Sequence, residues 1–247
     1  MAPRGRSAMN IALLTGRGGA GSSFPGKNVF PILGRPLMLY PYASAKKSRL
    51  IDDIYISTDG EELKAVAREQ GIKIIDRPPE FARPDSQHNE CIDHALTTLK
   101  ARGVPVEILV ILMCNVGIQP EGKVDECIQA LIDDPSLDTA ITVHEWGDHH
   151  PSRGKTTDKD GLLVPIMPIK EPITTTRQLL GATYYLDHQV WAFRIRDYRL
   201  PATGHQPWWF MGNRVKPILN EDLVIDIHTR ADIDYTEMWL RAHGYDQ

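Results

Sequence analysis

Short apolar runs alternate with helix-like segments along residues 11–144. The runs are rich in Ile, Leu and Val and are closed by turn residues, which is typical of buried strands. Predicted strands cover residues 11–14, 54–57, 72–75, 108–113 and 139–144, and predicted helices cover 36–47, 61–70, 89–102 and 124–132. Strands that alternate with helices of this length predict βαβ units, and therefore an α/β fold with a doubly wound, mostly parallel sheet.

The regularity weakens over residues 145–190, which are rich in Asp, Pro, Thr and Gly and predict an excursion from the main sheet. Beyond it, the pattern predicts strands at 190–194 and 224–227. A final helix is predicted over 232–242, with Thr229 as its N-cap.

Composition narrows the class of protein. Of the 247 residues, 42% are hydrophobic and 24% charged, which indicates a globular chain. The net charge of −4 provides no basic field for nucleic acid. We find no signal peptide and no apolar run of the ~18 residues that a membrane span needs. The three cysteines have no CxxC spacing, which favours reduced thiols. We expect a cytoplasmic protein without a membrane or nucleic-acid partner, with residues 1–8 a disordered extension and 9–247 a single domain.

A glycine-rich loop, residues 16–26, directly follows the first predicted strand. Ligands of open α/β sheets bind beyond the carboxyl ends of strands, and glycines allow backbone N–H groups to converge on phosphate oxygens. Arg17 and Lys27 add positive charge. The spacing matches neither a Walker A loop nor a dinucleotide-binding fingerprint. The alternative is a flexible glycine turn that carries two solvated cations.

Several blocks follow this loop in order, and together they are more specific than any one of them. They are Leu33-Gly-Arg-Pro-Leu37, Ile51 to the Ser57-Thr58-Asp59 end, Arg77-Pro78 with Asp85, His150-Pro151, Arg177-Gln178, Phe210-Met-Gly-Asn-Arg-Val215 and Ile225-Asp226-Ile227. In order and spacing they resemble the acylneuraminate cytidylyltransferase family, which makes CMP-sialic acids. The resemblance extends from Asn10 to Leu240.

This resemblance implies a Rossmann-like nucleotidyltransferase fold and transfer of CMP from CTP to an acidic acceptor, with release of pyrophosphate. It also implies a homodimer, formed through the 145–190 excursion, and a Mg²⁺ cofactor. Arg17, Lys27 and Asp226 are the implied catalytic residues. The implied nucleotide-binding residues are Gly16, Arg17, Gly18, Gly19, Ser22, Ser23, Lys27, Asn28, Arg77 and Asp85. Arg77 has the alternative of a surface ion pair, and Asp226 that of a turn cap.

The loop and the metal motif depart from the family. The loop is one residue longer and lacks the usual lysine, so that Ser22 and Ser23 are expected to do part of the phosphate binding. The usual Asp-x-Asp motif is Asp226-Ile-His228 here. Because Asp226 and His228 alternate along a predicted strand, we expect both to face the metal. A histidine ligand makes Mn²⁺ an alternative to Mg²⁺.

The acceptor half departs further. The stretch that usually helps to hold a sialic acid ends here in Asn115-Val-Gly-Ile-Gln119, and Asp187-His188 replaces an Asn-Gly pair. We therefore expect another nonulosonate, an ulosonate or a phosphonate as acceptor. Its candidate ligands are Asn115, Gln119, Arg153, Arg177, Gln178 and Asp187. Two alternatives stay open: a nucleotidyltransferase of another base or sugar-phosphate specificity, and a catalytically inactive nucleotide-binding relative.

Overall fold

A seven-stranded sheet lies at the centre of the computed structural model, which describes residues 8–18, 24–146, 149–169 and 172–245. The strands are β1 (Met9–Thr15), β2 (Pro31–Ile32), β3 (Arg35–Pro36), β4 (Asp53–Thr58), β5 (Lys73–Asp76), β6 (Val106–Met113), β7 (Thr139–Glu145), β8 (Lys155–Thr157), β9 (Leu163–Pro165), β10 (Tyr184–Arg194) and β11 (Val215–Leu219). The helices are α1 (Leu39–Lys47), α2 (Glu61–Glu69), α3 (His88–Ala101), α4 (Lys123–Asp133) and α5 (Arg230–Ala242).

The strand order in the sheet is β11-β7-β10-β6-β1-β4-β5. Strand β10 is antiparallel to both of its neighbours, and all other pairs are parallel. The predicted doubly wound, mostly parallel sheet is therefore confirmed. Because β1 is parallel to β4 and β6, the carboxyl ends of these three strands meet at one edge of the sheet. This edge positions the candidate site.

Both faces of the sheet are buried. Along β1, Ile11 and Leu13 pack into one hydrophobic cluster, whereas Ala12 and Leu14 pack into the cluster on the other face. All four side chains are inaccessible to solvent. Such burial on both faces explains why the strands are continuous apolar runs instead of alternating ones.

Two elements near the carboxyl terminus differ from the predictions. Residues 224–227 do not form a strand, and the Ile227 amide donates instead to the Asn115 carbonyl (2.9 Å). The pattern also missed β11, because Pro217 argues against a strand. The proline is tolerated since β11 lies at the edge of the sheet, where one side of the strand needs no hydrogen-bond donor. The predicted N-cap is confirmed: the Thr229 hydroxyl accepts the Asp232 amide of α5.

The irregular segment 145–190 departs from the main sheet only in part, because β10 begins at Tyr184 and takes up its last residues. It contains the small hairpin of β8 and β9, which is separate from the main sheet. Large aliphatic side chains lie exposed on it, among them Leu163 and Leu179, each more than 70% accessible. Its role in dimerisation stays a prediction.

Two smaller predictions can be compared with the structure. Cys91, Cys114 and Cys127 are buried and free of disulfides, and burial raises the pKa of the Cys114 thiol to about 12. No helix within the described ranges has the length and apolar character to cross a membrane. Of the predicted amino-terminal extension, residues 1–7 lie outside the described residues.

Candidate functional site

Two adjoining cavities open at the carboxyl ends of β1 and β6. Their volumes are about 210 Å³ and about 150 Å³. Both are lined by Thr15, Gly16, Arg17 and Asn115, so that they form one continuous cleft. The larger cavity extends over β5 and the start of α3, and the smaller one extends under Lys27 and Asn28. The glycine-rich loop, which is predicted to bind phosphate, therefore borders the cleft.

The loop is tied down on both sides of Arg17. The Gly16 amide donates to the Ser57 carbonyl (3.3 Å), the Gly18 amide donates to Asp59 Oδ1 (2.8 Å), and Asn28 Nδ2 donates to the Arg17 carbonyl (3.0 Å). The amides of Gly16 and Gly18 are thus engaged by β4 and its turn, contrary to the expectation that they point at phosphate. Arg17 and Lys27 instead provide side-chain donors at the cleft. Gly19, Ser22 and Ser23 lie outside the described residues.

Arg77 is the most buried cation of the cleft, with 8% of its surface accessible. Its guanidinium donates twice to Ser57, from Nη2 to the carbonyl (2.7 Å) and from Nε to the hydroxyl (3.2 Å). Within the described part of the chain, no carboxylate forms an ion pair with it. The predicted alternative of a surface ion pair is therefore wrong. A buried charge without a counter-ion is costly, and an anionic ligand in the cleft would compensate it.

Lys27 lines the smaller cavity, and Asp226 lies close to Lys27 without lining either cavity. The Lys27 ammonium donates to the Ile227 carbonyl, next to Asp226. Burial lowers the pKa of Lys27, and the neighbouring Arg17 lowers it further, while Asp226 acts in the opposite direction. The structure therefore brings together the three predicted catalytic residues, Arg17, Lys27 and Asp226.

Asp226 also contacts two of the other predicted residues. His228 Nε2 lies within hydrogen-bonding distance of Asp226 Oδ2, and Asn115 Nδ2 donates to the same oxygen (3.3 Å). The side chains of Asp226 and His228 thus meet although their segment is not a strand. Asn115 lies at this junction, between the predicted metal ligands and the cleft.

The donor set around Asp226 suits a cation that is shared with a ligand. The described residues contain no group of three or more His, Cys, Asp or Glu side chains that would enclose a metal ion. Magnesium is commonly held by one or two carboxylates together with water and substrate phosphates. The Asp226 carboxylate, with the side-chain amide group of Asn115 and the His228 ring beside it, fits this mode of binding.

Like Gly18, Asp226 and His228, several further predicted site residues line neither cavity of the cleft. Asp85 is exposed and pairs with Arg83. Gln119 is 3% accessible, donates to the Val116 carbonyl and lines a separate cavity of about 520 Å³ between α1 and α4. Arg153, Arg177 and Gln178 lie exposed on the excursion. Their assignment to the acceptor is not supported by their positions in a single copy of the chain.

Asp187 has a structural environment rather than a ligand-binding one. It is 2% accessible, and its two oxygens accept hydrogen bonds from the Thr142 hydroxyl, the Gln189 amide (3.0 Å) and Asn220 Nδ2 (2.6 Å). These bonds join β7, β10 and the residue after β11. Since both oxygens are occupied within the fold, Asp187 cannot approach an acceptor without breaking them.

His88 lines the larger cavity and was missed as a site residue. Its Nε2 lies 3.2 Å from the Thr15 hydroxyl oxygen. Its ring packs against the Trp191 ring, with 5.2 Å between the ring centroids. Burial lowers the pKa of His88 to about 3, and Arg77 and His188 contribute to the shift. Other cleft residues that the sequence analysis did not select are Thr15, Phe81, Arg83, Ser86, Gln87 and Met113. One indication was available in the sequence. Because β5 is parallel to β4, the helix that follows β5 must begin at the carboxyl edge of the sheet, where the cleft lies.

Together, the sheet and the cleft define a Rossmann-like nucleotidyltransferase fold. Residues 13–108 match the family model described as cytidylyltransferase. This match confirms the predicted resemblance to cytidylyltransferases, the group that also includes the acylneuraminate enzymes.

Two curated relatives show the extent of the similarity. The 3-deoxy-manno-octulosonate cytidylyltransferase of Bdellovibrio bacteriovorus is 27% identical over 121 residues, which are 49% of this chain and 45% of that protein. The 8-amino-3,8-dideoxy-manno-octulosonate cytidylyltransferase of Shewanella baltica is 30% identical over 143 residues, 58% of this chain and 49% of that protein. The chain therefore spans about half the length of the curated relatives it matches.

Solved structures extend the likeness of fold over nearly the whole chain. CMP:2-keto-3-deoxy-manno-octonic acid synthetase complexed with CTP aligns with a TM-score of 0.66 at 17% identity, over 96% of this chain and 100% of that one. A 4-diphosphocytidyl-2C-methyl-D-erythritol synthase from Anaerococcus prevotii aligns with a TM-score of 0.59 at 17% identity, over 95% and 96%. At this identity the likeness concerns the fold alone.

We predict that Asp187→Ala destabilises the fold. Removing a buried acceptor leaves several donors unpaired, so that the free energy of unfolding should fall by about 3 kcal/mol in urea denaturation. The exposed Asp160→Ala is the control and should leave stability unchanged. A stable Asp187→Ala variant would instead return this residue to the acceptor-binding set.

We predict that His88 makes stability dependent on pH between about 3 and 6.5. In this range the unfolded chain binds a proton at His88 and the folded chain does not, so stability falls as the pH is lowered. Melting temperatures measured over this range should decline less steeply for His88→Gln than for the unchanged protein. The exposed His205→Gln should keep the original slope, and equal slopes in all three proteins would contradict the prediction.

Proposed function

We propose that this chain transfers CMP from CTP to an acidic sugar and releases pyrophosphate. The observation that carries the proposal is the set of cations that line the cleft, Arg17, Lys27 and the buried Arg77, together with the Asp226 carboxylate close to Lys27. Such a set suits a polyphosphate bound at the edge of an α/β sheet. The match of residues 13–108 to cytidylyltransferases supports CTP as the nucleotide.

In the proposed reaction an acceptor oxygen attacks the α-phosphorus of CTP. A bond forms between that oxygen and phosphorus, the bond from phosphorus to the bridging oxygen breaks, and pyrophosphate leaves with the electron pair. The proton of the attacking hydroxyl group is released to water. Arg17 and Lys27 would bind the phosphate oxygens and stabilise the charge of the leaving group. Arg77 would hold the nucleotide from the β5 side of the cleft. Catalysis then rests on orientation and electrostatics, and no covalent enzyme intermediate is required.

A divalent cation, Mg²⁺ or Mn²⁺, belongs to this proposal. Asp226 would hold it, with Asn115 beside the carboxylate and His228 as a further candidate ligand. The cation would supply charge neutralisation at the phosphates. The supporting observation is the contact of His228 and Asn115 with the Asp226 carboxylate, close to Lys27 at the cleft.

For the acceptor we propose an ulosonate. The names of the curated relatives refer to octulosonates, and the chain lacks the sequence features that help to hold a sialic acid in the acylneuraminate enzymes. Asn115 is the predicted acceptor ligand that lines the cleft. Other nonulosonates and phosphonates remain members of the acceptor panel in the experiment below.

We predict that the protein releases pyrophosphate from CTP when Mg²⁺ and an ulosonate are both present. Lys27→Ala should lower kcat/KM by about 100-fold, because a cation that stabilises the developing charge is removed. The exposed Lys46→Ala on α1 is the matched control and should retain full activity. Addition of EDTA should abolish turnover, and Mn²⁺ should restore it.

Thermal shift with the four nucleoside triphosphates in Mg²⁺ separates the alternatives. Stabilisation by CTP above the others, with turnover, supports the proposal. A preference for UTP would point to a nucleotidyltransferase of another specificity. Nucleotide binding without pyrophosphate release over the whole panel would indicate an inactive relative, and binding of no nucleotide would overturn the proposal.

We further propose that the excursion joins two copies of this chain. Its exposed aliphatic side chains, Leu162, Leu163, Ile166 and Leu179, are each more than 60% accessible. A concentration of large apolar side chains on one segment is typical of a protein interface. A second copy would cover these side chains, and the excursion of one copy would carry Arg153, Arg177 and Gln178 toward the cleft of the other.

We predict that Leu163→Asp together with Leu179→Asp produces a monomer, because charge on the apolar segment opposes its burial. Light scattering coupled to size-exclusion chromatography measures the mass directly. Lys159→Asp, at the turn of the β8-β9 hairpin, changes charge without removing apolar surface and should leave the dimer intact. A monomeric unchanged protein would refute the proposed assembly.

A further inference from the structure

Asp59 closes the Ser57-Thr58-Asp59 block at the end of β4, a block to which the proposed function assigns no role. We infer that Asp59 is a positioning residue that fixes Arg17 in the cleft by holding the loop backbone. The inference rests on the proposed function for its effect on catalysis. The contact itself belongs to the fold and can be measured without activity.

The Gly18 amide donates to Asp59 Oδ1 at 2.8 Å. A hydrogen bond to an ionised carboxylate is shorter and stronger than one between neutral groups. On the other side of Arg17, the Gly16 amide donates to the neutral Ser57 carbonyl at the longer distance of 3.3 Å. One hydrogen bond runs from the loop to β4 and the other to the turn after β4. The bond to Asp59 in the turn is the stronger of the two.

Close backbone contact makes this tie possible. A Cβ atom on Gly18 would lie 3.0 Å from the Gly60 Cα and 3.2 Å from Asp59 Oδ2, and a Cβ on Gly60 would lie 3.0 Å from the Gly18 Cα. Real Cβ atoms rarely come so close to backbone, so glycine at both positions allows the loop to lie this close to the β4-α2 turn without displacing it. The Asp59 carboxylate accepts the Gly18 amide across this contact.

The consequence falls on Arg17, which lies between the two ties. Its guanidinium donates from Nη1 to the Arg83 carbonyl (2.7 Å), and the residue lines both cavities of the cleft. A long side chain loses considerable rotational freedom when it binds phosphate. The hydrogen bonds on either side of Arg17 fix the position of its Cα. Less conformational entropy is therefore lost when the side chain binds phosphate.

The test compares Asp59→Ala with Asp59→Asn. The asparagine keeps an oxygen that accepts the Gly18 amide and removes the charge, whereas alanine removes the tie. We expect Asp59→Ala to raise KM for CTP by about tenfold, the effect of losing one charged hydrogen bond. We expect Asp59→Asn to stay within about threefold of the unchanged protein, since a neutral bond replaces a charged one.

Asp52→Ala is the matched control. Asp52 Oδ2 accepts the Asn10 amide at 2.8 Å, so it makes the same kind of tie to β1 at the opposite end of the strand. Its removal should affect stability to a similar extent and leave KM for CTP unchanged. A rise in KM in both alanine variants would show a general loss of stability and would overturn the inference.

Amide hydrogen exchange of a peptide that contains Gly18 provides the second readout. Exchange should be faster in Asp59→Ala than in Asp59→Asn or in the unchanged protein, whether or not the protein turns over CTP. Unchanged exchange in Asp59→Ala would refute the tie. Faster exchange with an unchanged KM for CTP would refute the role of Asp59 in binding. An equal rise of KM in the alanine and asparagine variants would refute the expectation that a neutral oxygen can replace the carboxylate. Failure of the unchanged protein to bind any nucleotide would instead overturn the proposed function alone.

Discussion

Parallel pairing of β1 with β4 and β6 is the constraint from which the candidate site follows. The register aligns Thr15 with Ser57 on one side and with Met113 on the other. Three segments therefore leave the sheet at the same height, and each begins a polar loop there. The glycine-rich loop, the Ser-Thr-Asp turn and the Asn115 segment meet because their strands end together, although they are far apart in sequence.

Charge is distributed unevenly along this edge. Arg17, Lys27 and Arg77 lie around the cleft, and Asp226 approaches from the carboxyl-terminal part of the chain. Because Arg77 is buried without a carboxylate partner among the described residues, the arrangement is electrostatically incomplete in the protein alone. A polyphosphate would complete it, and a cation held at Asp226 would balance the remaining phosphate charge. The buried glycine contact of residues 18 and 60 allows this arrangement by keeping the loop close to the sheet.

The hydrophobic pattern predicted the regular part of the fold because buried parallel strands are continuous apolar runs. It failed at β11, where Pro217 is acceptable only at a sheet edge, and an edge cannot be recognised from one segment. Arg17, Lys27 and Asp226 were found through motifs, and they lie together. Asp187 and Gln119 were selected by position in a motif, but such a position does not show whether a polar side chain is already paired inside the fold. His88 was missed because its role depends on Trp191 and Arg77, which are distant in sequence.

The larger cavity of the cleft combines a neutral histidine, His88, with arginine side chains. Both His88 and His188 pack against the Trp191 ring. The distances between ring centroids are 5.2 Å for His88 and 5.4 Å for His188. Burial lowers the pKa of both histidines, so their rings are neutral at neutral pH. The neutral His88 ring can bind a hydroxyl group by hydrogen bonding but provides no counter-charge for a carboxylate. The positive charge of this cavity comes from Arg17, Arg77 and Arg83. In the proposed reaction Arg17 and Arg77 bind the nucleotide, so that the acid group of the sugar needs a further cation. Arg83 lines the same cavity, whereas the arginines of the excursion would reach it only if a second copy brought them to the cleft.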